Sequence, residues 1–268
     1  MNKVCNILVT MPSAPDLILD LLVADGGMLT VQALCRAGAL FRIGESAIRV
    51  GLTRLSGEDK IRRCGRGCYA FNRLGPQLSG TVDDWQHKAT QAVPWNLDWL
   101  AVHDVGVLRS EKTAWRQHSL AMSLRGFVAF QPGLRIRPNN LSGGLTVERI
   151  QLQALGLSPQ ALMFRLVDLD EERRNAAWSL WDVRSLEARY RLLQTGIEKS
   201  RRELDVKKLE VAVRESLLLG RAVIGDLIRD PLLPTQLMSA TTRIALVKAT
   251  TIYQRKARAL WRQWLTAP

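Results

Sequence analysis

The sequence predicts an α+β architecture of more than one domain, and three observations predict it. The chain has 268 residues, beyond the usual size of a single core, so two or three domains of roughly 70–100 residues each are expected. Its apolar periodicity changes along its length. Mixed helix and strand patterns run to about Asp170, then nearly unbroken helical spacing runs to the end. Hydrophobic residues make up 47% and the mean hydropathy is −0.05, so sizeable cores can be built. The expected partition is 13–75, a connector at 76–93, a middle domain at 94–170 and a helical domain at 171–268.

"PDLILDLLVADGG" opens the first domain with proline in a first turn. Leu17, Leu21 and Leu22 follow at helical spacing, and Gly26-Gly27 ends the element. After a short "MLT", Thr30 can cap a second helix with Val31, Leu34 and Cys35 inward. A turn at "FRIG" leads to a third helix from about Glu45 to Ser56, whose inner stripe is Ile48, Leu52 and Leu55. Gly57 stops it. "KIRRCGRGCYAF" then reads as a hairpin around Gly-Arg-Gly, residues that tolerate positive φ. Helix, short strand, helix, turn, helix and two-stranded wing is the order of a winged helix-turn-helix.

Lysine and arginine number 38 against 25 acidic residues, a formal charge of +13 with pI near 10.3. Such an excess implies a polyanionic partner, either nucleic acid or an anionic membrane surface. No run approaches the ~18 apolar residues of a spanning helix, so no membrane partner is expected. "MNKVCNILVTMPSAP" has an apolar run interrupted by Asn6 and Thr10 and reads as a flexible arm rather than a signal peptide. Cys5, Cys35, Cys64 and Cys68 are scattered, which suits a reducing cytoplasm. Cys64 and Cys68 could face each other on the hairpin but lack a second Cys or His pair at motif spacing. No metal and no cofactor are therefore expected.

A helix fits the major groove of double-stranded DNA, where each base pair shows a distinct donor and acceptor pattern. With Ile48, Leu52 and Leu55 turned inward, the third helix presents Ser46, Arg49, Val50, Thr53 and Arg54. Arg49 can reach guanine bidentately, Ser46 and Thr53 can take either hydrogen-bond role, and Arg54 lies toward a phosphate strand. Arg42, in the preceding turn, joins the set. Arg62, Arg63 and Arg66 on the wing would meet phosphates or a minor groove. The alternative is a winged helix that binds protein and merely carries solvated arginines.

After the polar connector, Trp99–His103 reads as a buried strand ending at the Asp104 carboxylate. A helix with Trp115, Leu120 and Leu124 inward follows. "FVAFQPGLRIRP" gives two strands around a Pro-Gly turn, "GGLTVERIQLQALGL" a second crossover helix, and "QALMFRLVDL" a last strand. Strand, helix, strand, strand, helix, strand is the ferredoxin-like order. Beyond Asp170 the helical stripes are Trp178, Trp181, Leu186, Tyr190 and Leu193, then Leu246, Ala249, Tyr253, Ala257, Leu260 and Trp264. "DPLLP" stands between the last two helices.

Four strings in this order carry a family resemblance: "IGESAIRVGLTRL", "LRGFVAFQPGLRIRPNNL", "AAWSLWDVRSLEARYRLL" and "RDPLLP". From about Pro15 to Trp264 the chain resembles the PaaX family of bacterial repressors, regulators of phenylacetate breakdown. The resemblance implies a homodimeric repressor on a palindromic operator of a catabolic operon. Its middle domain would be shaped like the small CRISPR-associated spacer-acquisition nuclease. A small acidic effector, an aryl-acyl-CoA thioester, would release it. The sequence assigns no effector-binding residues.

The rival reading is a metal-dependent nuclease. Asp104, with Arg109 before the next helix, resembles the position where those nucleases hold a metal-binding aspartate, and a dimer could pair two such groups around Mg²⁺. Against it, one carboxylate per chain stands without a second at useful spacing. There is no G-x-S-x-G elbow, H-E-x-x-H pair or P-loop, and His87, His103 and His118 are isolated. The expectation is a non-enzymatic, cytoplasmic DNA-binding regulator with no catalytic residues.

Overall fold

The computed structural model describes residues 2–4, 7–72 and 85–267. Among the described residues the chain is an α+β fold with three antiparallel sheets and many helices, and it divides into two compact units. One comprises Met1–Asp83, Arg191–Gly225 and Ala245–Pro268; the other comprises Asp84–Tyr190 and Asp226–Ile244. Residues 171–268 therefore do not form a unit of their own, which differs from the three-domain partition. Residues 85–93 of the expected connector belong to the second unit; residues 76–84 lie outside the described ones.

In the first unit, β1 (Asn2–Val4) and β2 (Ile7–Val9) pair antiparallel where a flexible arm was expected. Helix α1 (Ala14–Asp25) starts on a reciprocal cap in which Ser13 and Asp16 satisfy each other's backbone N–H groups. After β3 (Met28–Thr30), the Thr30 hydroxyl accepts from Ala33 N at 3.1 Å and opens α2 (Val31–Leu40). Helix α3 (Glu45–Gly57) buries Ile48, Gly51, Leu52 and Leu55. Gly51 lets α3 approach α1 closely: a Cβ there would stand 3.0 Å from Ile18 Cδ1. Of the residues expected inward on α2, Leu34 is buried while Val31 and Cys35 are half-buried; Ala37 and Gly38 complete the contact. Strands β4 (Ile61–Gly65) and β5 (Cys68–Phe71) form the hairpin, and the sheet order is β3-β5-β4.

In the second unit, β6 (Trp99–His103), α4 (Lys112–Leu124), β7 (Val128–Gln131), β8 (Leu134–Pro138), α5 (Gly144–Leu155) and β9 (Leu162–Leu166) follow in sequence. They build a four-stranded antiparallel sheet ordered β7-β8-β6-β9. Successive strand residues face opposite sides, so the buried run Trp99–Val102 means that both faces are covered. Leu100 and Val102 join Ala121, Met122, Phe127, Leu152, Leu157 and Met163 in one core. On the opposite face Trp99 stacks on Trp181, with ring centres 6.0 Å apart, and Trp95 meets Trp99 edge-on. The inward stripe of α4 is His118, Ala121 and Met122, whereas Leu120 is 48% exposed and Trp115 and Leu124 are half-buried. This stripe departs from the apolar periodicity because its first member is a histidine.

The helical region holds α6 (Glu171–Trp178), α7 (Val183–Glu203), α8 (Leu209–Ile228) and α9 (Thr241–Thr266). A turn separates α6 from α7, and the Asp182 carboxylate caps α7 by accepting from Ser185 N at 2.9 Å. Trp178 is exposed and Leu186 half-buried, unlike the buried Trp181, Tyr190 and Leu193. On α9, Trp261 takes the buried place expected of Leu260.

Asp230 to Pro234 is buried throughout. Asn140 Nδ2 donates to Leu232 O at 2.7 Å and Arg137 to Pro231 O at 3.4 Å. Lys88 donates to Ile228 O and Asp230 O at 2.5 and 2.7 Å. Burial lowers the Lys88 ammonium to a pKa of about 7 and the Arg137 guanidinium to about 10. Beside them Arg125 clasps Glu148 at 2.8 and 2.5 Å. Burial pushes Glu148 upward, but the Arg125 and Arg137 cations outweigh it and leave its carboxyl below the usual range.

Candidate nucleic-acid interface

The outer side of α3 presents Ser46, Arg49, Val50, Thr53 and Arg54, all exposed. Its inner residues leave no room for these side chains at the core, so the 3.6-residue period alone fixes them outward. Val50 is 69% exposed, an apolar group with no cover among the described residues. Arg49 is held one turn back by Glu45, and Arg54 one turn forward by Glu58, where Nε stands 2.8 Å from Oε1. Hydrogen bonding from Arg54, then from Lys60, draws the Glu58 carboxyl down to about 2. The Thr53 hydroxyl donates to Arg49 O at 3.1 Å and keeps its lone pairs free to accept.

Arg42 lies in the turn before α3, exposed, with φ of 59°. On the hairpin, Arg62 and Arg63 are neighbours on β4 and both exposed. Arg66 sits in the turn, which Gly67 enters at φ 69°. Arg63 Nε donates to Gly65 O at 3.2 Å. Lys60 N bonds Leu55 O at 3.0 Å, so the hairpin begins directly against the end of α3. Cys64 and Cys68 are free thiols. All the sequence-selected arginines thus lie within one unit, on α3, the turn before it and the hairpin after it.

Two anchors of this module have partners that the sequence does not name. Arg36 on α2 donates to Trp264 O and Ala267 O at 2.7 Å and to Leu265 O at 2.9 Å, closing the C-terminal end of α9. Its guanidinium lies 4.6 Å from the centre of the Trp264 ring. Arg221 on α8 reaches Asp16 at 3.2 Å and Asp20 at 2.5 Å on α1. A basic residue without an acidic neighbour at helical spacing was the available hint for Arg36. It does not name the partner.

Asp104 is 3% exposed and its carboxylate is taken up by Arg135 Nε at 3.2 Å and His118 Nε2 at 3.4 Å. Ser158 N donates to His118 Nδ1 at 3.2 Å, which puts the imidazole proton on Nε2, facing Asp104. Arg109 stacks on Trp115 at 5.0 Å. Among the described residues no group of three His, Cys, Asp or Glu side chains could hold a metal ion. No described helix is long and apolar enough to cross a membrane. Between α7 and α9 lies a cavity of about 290 Å³ lined by Glu198, Arg201, Arg202, Ala249 and Ile252.

No family model and no curated protein matches the chain. Among solved structures, the uncharacterized protein Rv0674 from Mycobacterium tuberculosis is similar, with a TM-score of 0.58 and 20% sequence identity. The match covers 94% of this chain and 100% of that one. At that identity the likeness concerns the fold alone.

Proposed function

We propose that the chain is a DNA-binding transcriptional regulator, a homodimeric repressor of the PaaX type, with α1 to β5 acting as a winged helix-turn-helix. The carrying observation is the exposed, uncovered side of α3, with Arg49, Val50 and Thr53, followed at once by a hairpin bearing Arg62, Arg63 and Arg66. Arg49 would read guanine, Val50 a thymine methyl, and the hairpin arginines the backbone. To do so Arg49 and Arg54 exchange Glu45 and Glu58 for DNA groups, and both swaps replace exposed, weak pairs. The strand order β7-β8-β6-β9 supports reading the second unit as ferredoxin-like, in keeping with a dimerising middle domain.

As a dimer the protein would place two α3 helices in successive major grooves, ~34 Å apart, on a palindromic operator. An aryl-acyl-CoA remains the proposed effector; it would weaken DNA binding by its own preference between the two states. The test is selection of bound duplexes from a random-sequence pool by the full-length protein, followed by salt titration of the winner. Palindromic enrichment and a steep salt slope are expected. No enrichment together with a flat slope would remove the DNA reading and leave the hairpin as a protein-binding element.

A further inference from the structure

Helix α9 carries six Lys or Arg residues and no Asp or Glu. That is unlike α3, whose arginines alternate with Glu45 and Glu58 as solvated helices commonly do. Lys256 reaches Asp205 at 2.5 Å and Arg201 O at 2.7 Å. Lys248, Arg255, Arg258 and Arg262 are exposed and make no ion pair or side-chain hydrogen bond among the described residues. None of the four stands in the last turn, so the negative end of the helix dipole does not account for them. At 3.6 residues per turn they share an arc of about 80° and span about 21 Å along the axis. The opposite side of α9 is buried through Leu246, Ala249, Tyr253, Ala257, Trp261 and Trp264.

From this we infer that the outer face of α9 is a second DNA contact, seated on the phosphate backbone of the same duplex that α3 and the hairpin engage. The inference rests on the DNA reading of the first unit. Charge complementarity chooses the occupant: duplex DNA carries one negative charge per about 1.7 Å of axis, so a 21 Å cationic row faces many phosphates. An anionic bilayer fits less well, because interfacial helices bury a broad apolar side in lipid, and outside the core-facing stripe α9 exposes only Ile244 and Ile252 among its large apolar residues. The row is fixed in the same compact unit as the hairpin, since Arg36 on α2 holds the end of α9. Arg201 and Arg202 extend the cationic face across the α7–α9 cavity, where Glu198 is the one acidic lining residue. The contact carries no base preference of its own, because backbone contacts position rather than specify.

The test compares three full-length variants with wild type by fluorescence anisotropy on one labelled random-sequence duplex, titrated with salt. The first is K248Q/R255Q/R258Q/R262Q, the second the lysine version R255K/R258K/R262K, the third the hairpin variant R62Q/R63Q/R66Q. Each lost phosphate contact should reduce the slope of log K against log salt by about 0.9, so the glutamine variant should lose roughly 3.6. Between about 50 and about 200 mM salt its affinity should then fall about 10²-fold less than that of wild type. The lysine version should match wild type, which separates charge from folding. An unchanged slope in the glutamine variant with a reduced slope in the hairpin variant would overturn the α9 contact and spare the DNA reading. No binding by wild type would sink both. Binding of wild type to phosphatidylserine vesicles, lost in the glutamine variant while its DNA slope is kept, would assign the face to lipid and overturn the proposal.

Discussion

Replacing Glu148 with glutamine should destabilise the protein by about 3–5 kcal/mol, the usual cost of leaving a buried ionic partner uncompensated. Glu148 is 2% exposed, Arg125 9% and Arg137 2%. Lys88, Asp230 and, 3.8 Å from Asp230, Arg243 complete this group of cations and carboxylates. The substitution keeps the shape and one acceptor for Arg125 but removes the carboxylate that balances the buried Arg125 and Arg137 cations. At about 2–4 °C per kcal/mol for a chain of this size, the melting temperature should fall by about 6–20 °C. A paired change of Arg125 and Glu148 to methionine should recover most of that loss, because burying neither charge removes the desolvation cost. Acid adds a second readout. The folded-state pKa of Glu148 is depressed, so its stabilisation is present above its unfolded value of 4.5 and disappears as pH falls through the folded one. The glutamine variant should lack this part of the acid transition. Differential scanning fluorimetry across pH measures both. A loss below about 1 kcal/mol, equal to that of the exposed pair partner variant Glu58→Gln, would refute the argument that burial makes this cluster costly to break.

Arg49→Ala should cost about 1–3 kcal/mol on a selected site and relax the preference at one base position, as read by competition anisotropy. Unchanged selectivity would remove Arg49 from base reading. Glu45→Gln and Glu58→Gln should each strengthen binding to random duplex by up to about fivefold, since each removes a carboxylate that competes for an arginine. Gly126→Ala should destabilise by more than about 1 kcal/mol: φ is +75° and the new Cβ would stand 2.8 Å from Pro231 Cα. Thermal denaturation decides it. Arg36→Gln should cost about 1.5–3 kcal/mol through lost charge-assisted bonds to the α9 carbonyls, and hydrogen exchange should quicken at the end of α9.

Local chemistry made much of the first unit legible. Thr30 and Pro15 marked helix starts, the Ile48, Leu52 and Leu55 stripe set the inner side of α3, and Gly-Arg-Gly marked the hairpin turn. Each is a rule acting over a few residues, and each element formed where its rule placed it. On α4 the inward stripe is not legible from periodicity, because His118 is buried by two specific partners, Asp104 Oδ2 and Ser158 N. The same blindness applied to "RDPLLP", whose prolines read as a loop between helices. It is buried because Arg137, Asn140 and Lys88 satisfy its carbonyls, and those donors lie about ninety to one hundred and forty residues away in sequence. Of the candidate interface, residue identities and exposure were readable. The Glu45 and Glu58 pairs were readable too, at spacing of four, but their competition with a ligand only matters once the exposed side is known.

The division into units follows from the size of the N-terminal module. A segment of about 60 residues buries only about 60% of the surface its unfolded chain exposes, so three short helices and a hairpin are marginal alone. The unmatched charges on α1 and α2 point the same way. Asp16 and Asp20 find Arg221, and Arg36 finds the last carbonyls of α9, at sequence separations of 201 and 231 residues for the contacts of Asp20 and Ala267. Neither partner is supplied within the module. The portions of α7, α8 and α9 in this unit are therefore its completing cover, bringing Leu193, Ile197, Val213, Leu219, Tyr253 and Trp261 as buried apolar mass. A helix recruited only as cover would carry mixed charges on its solvent side, since balanced pairs cost nothing and keep it soluble. The charged residues on the solvent side of α9 are instead all cationic over the stretch that belongs to this unit. Cover explains the inner side of that helix, and the proposed DNA contact would account for the outer one.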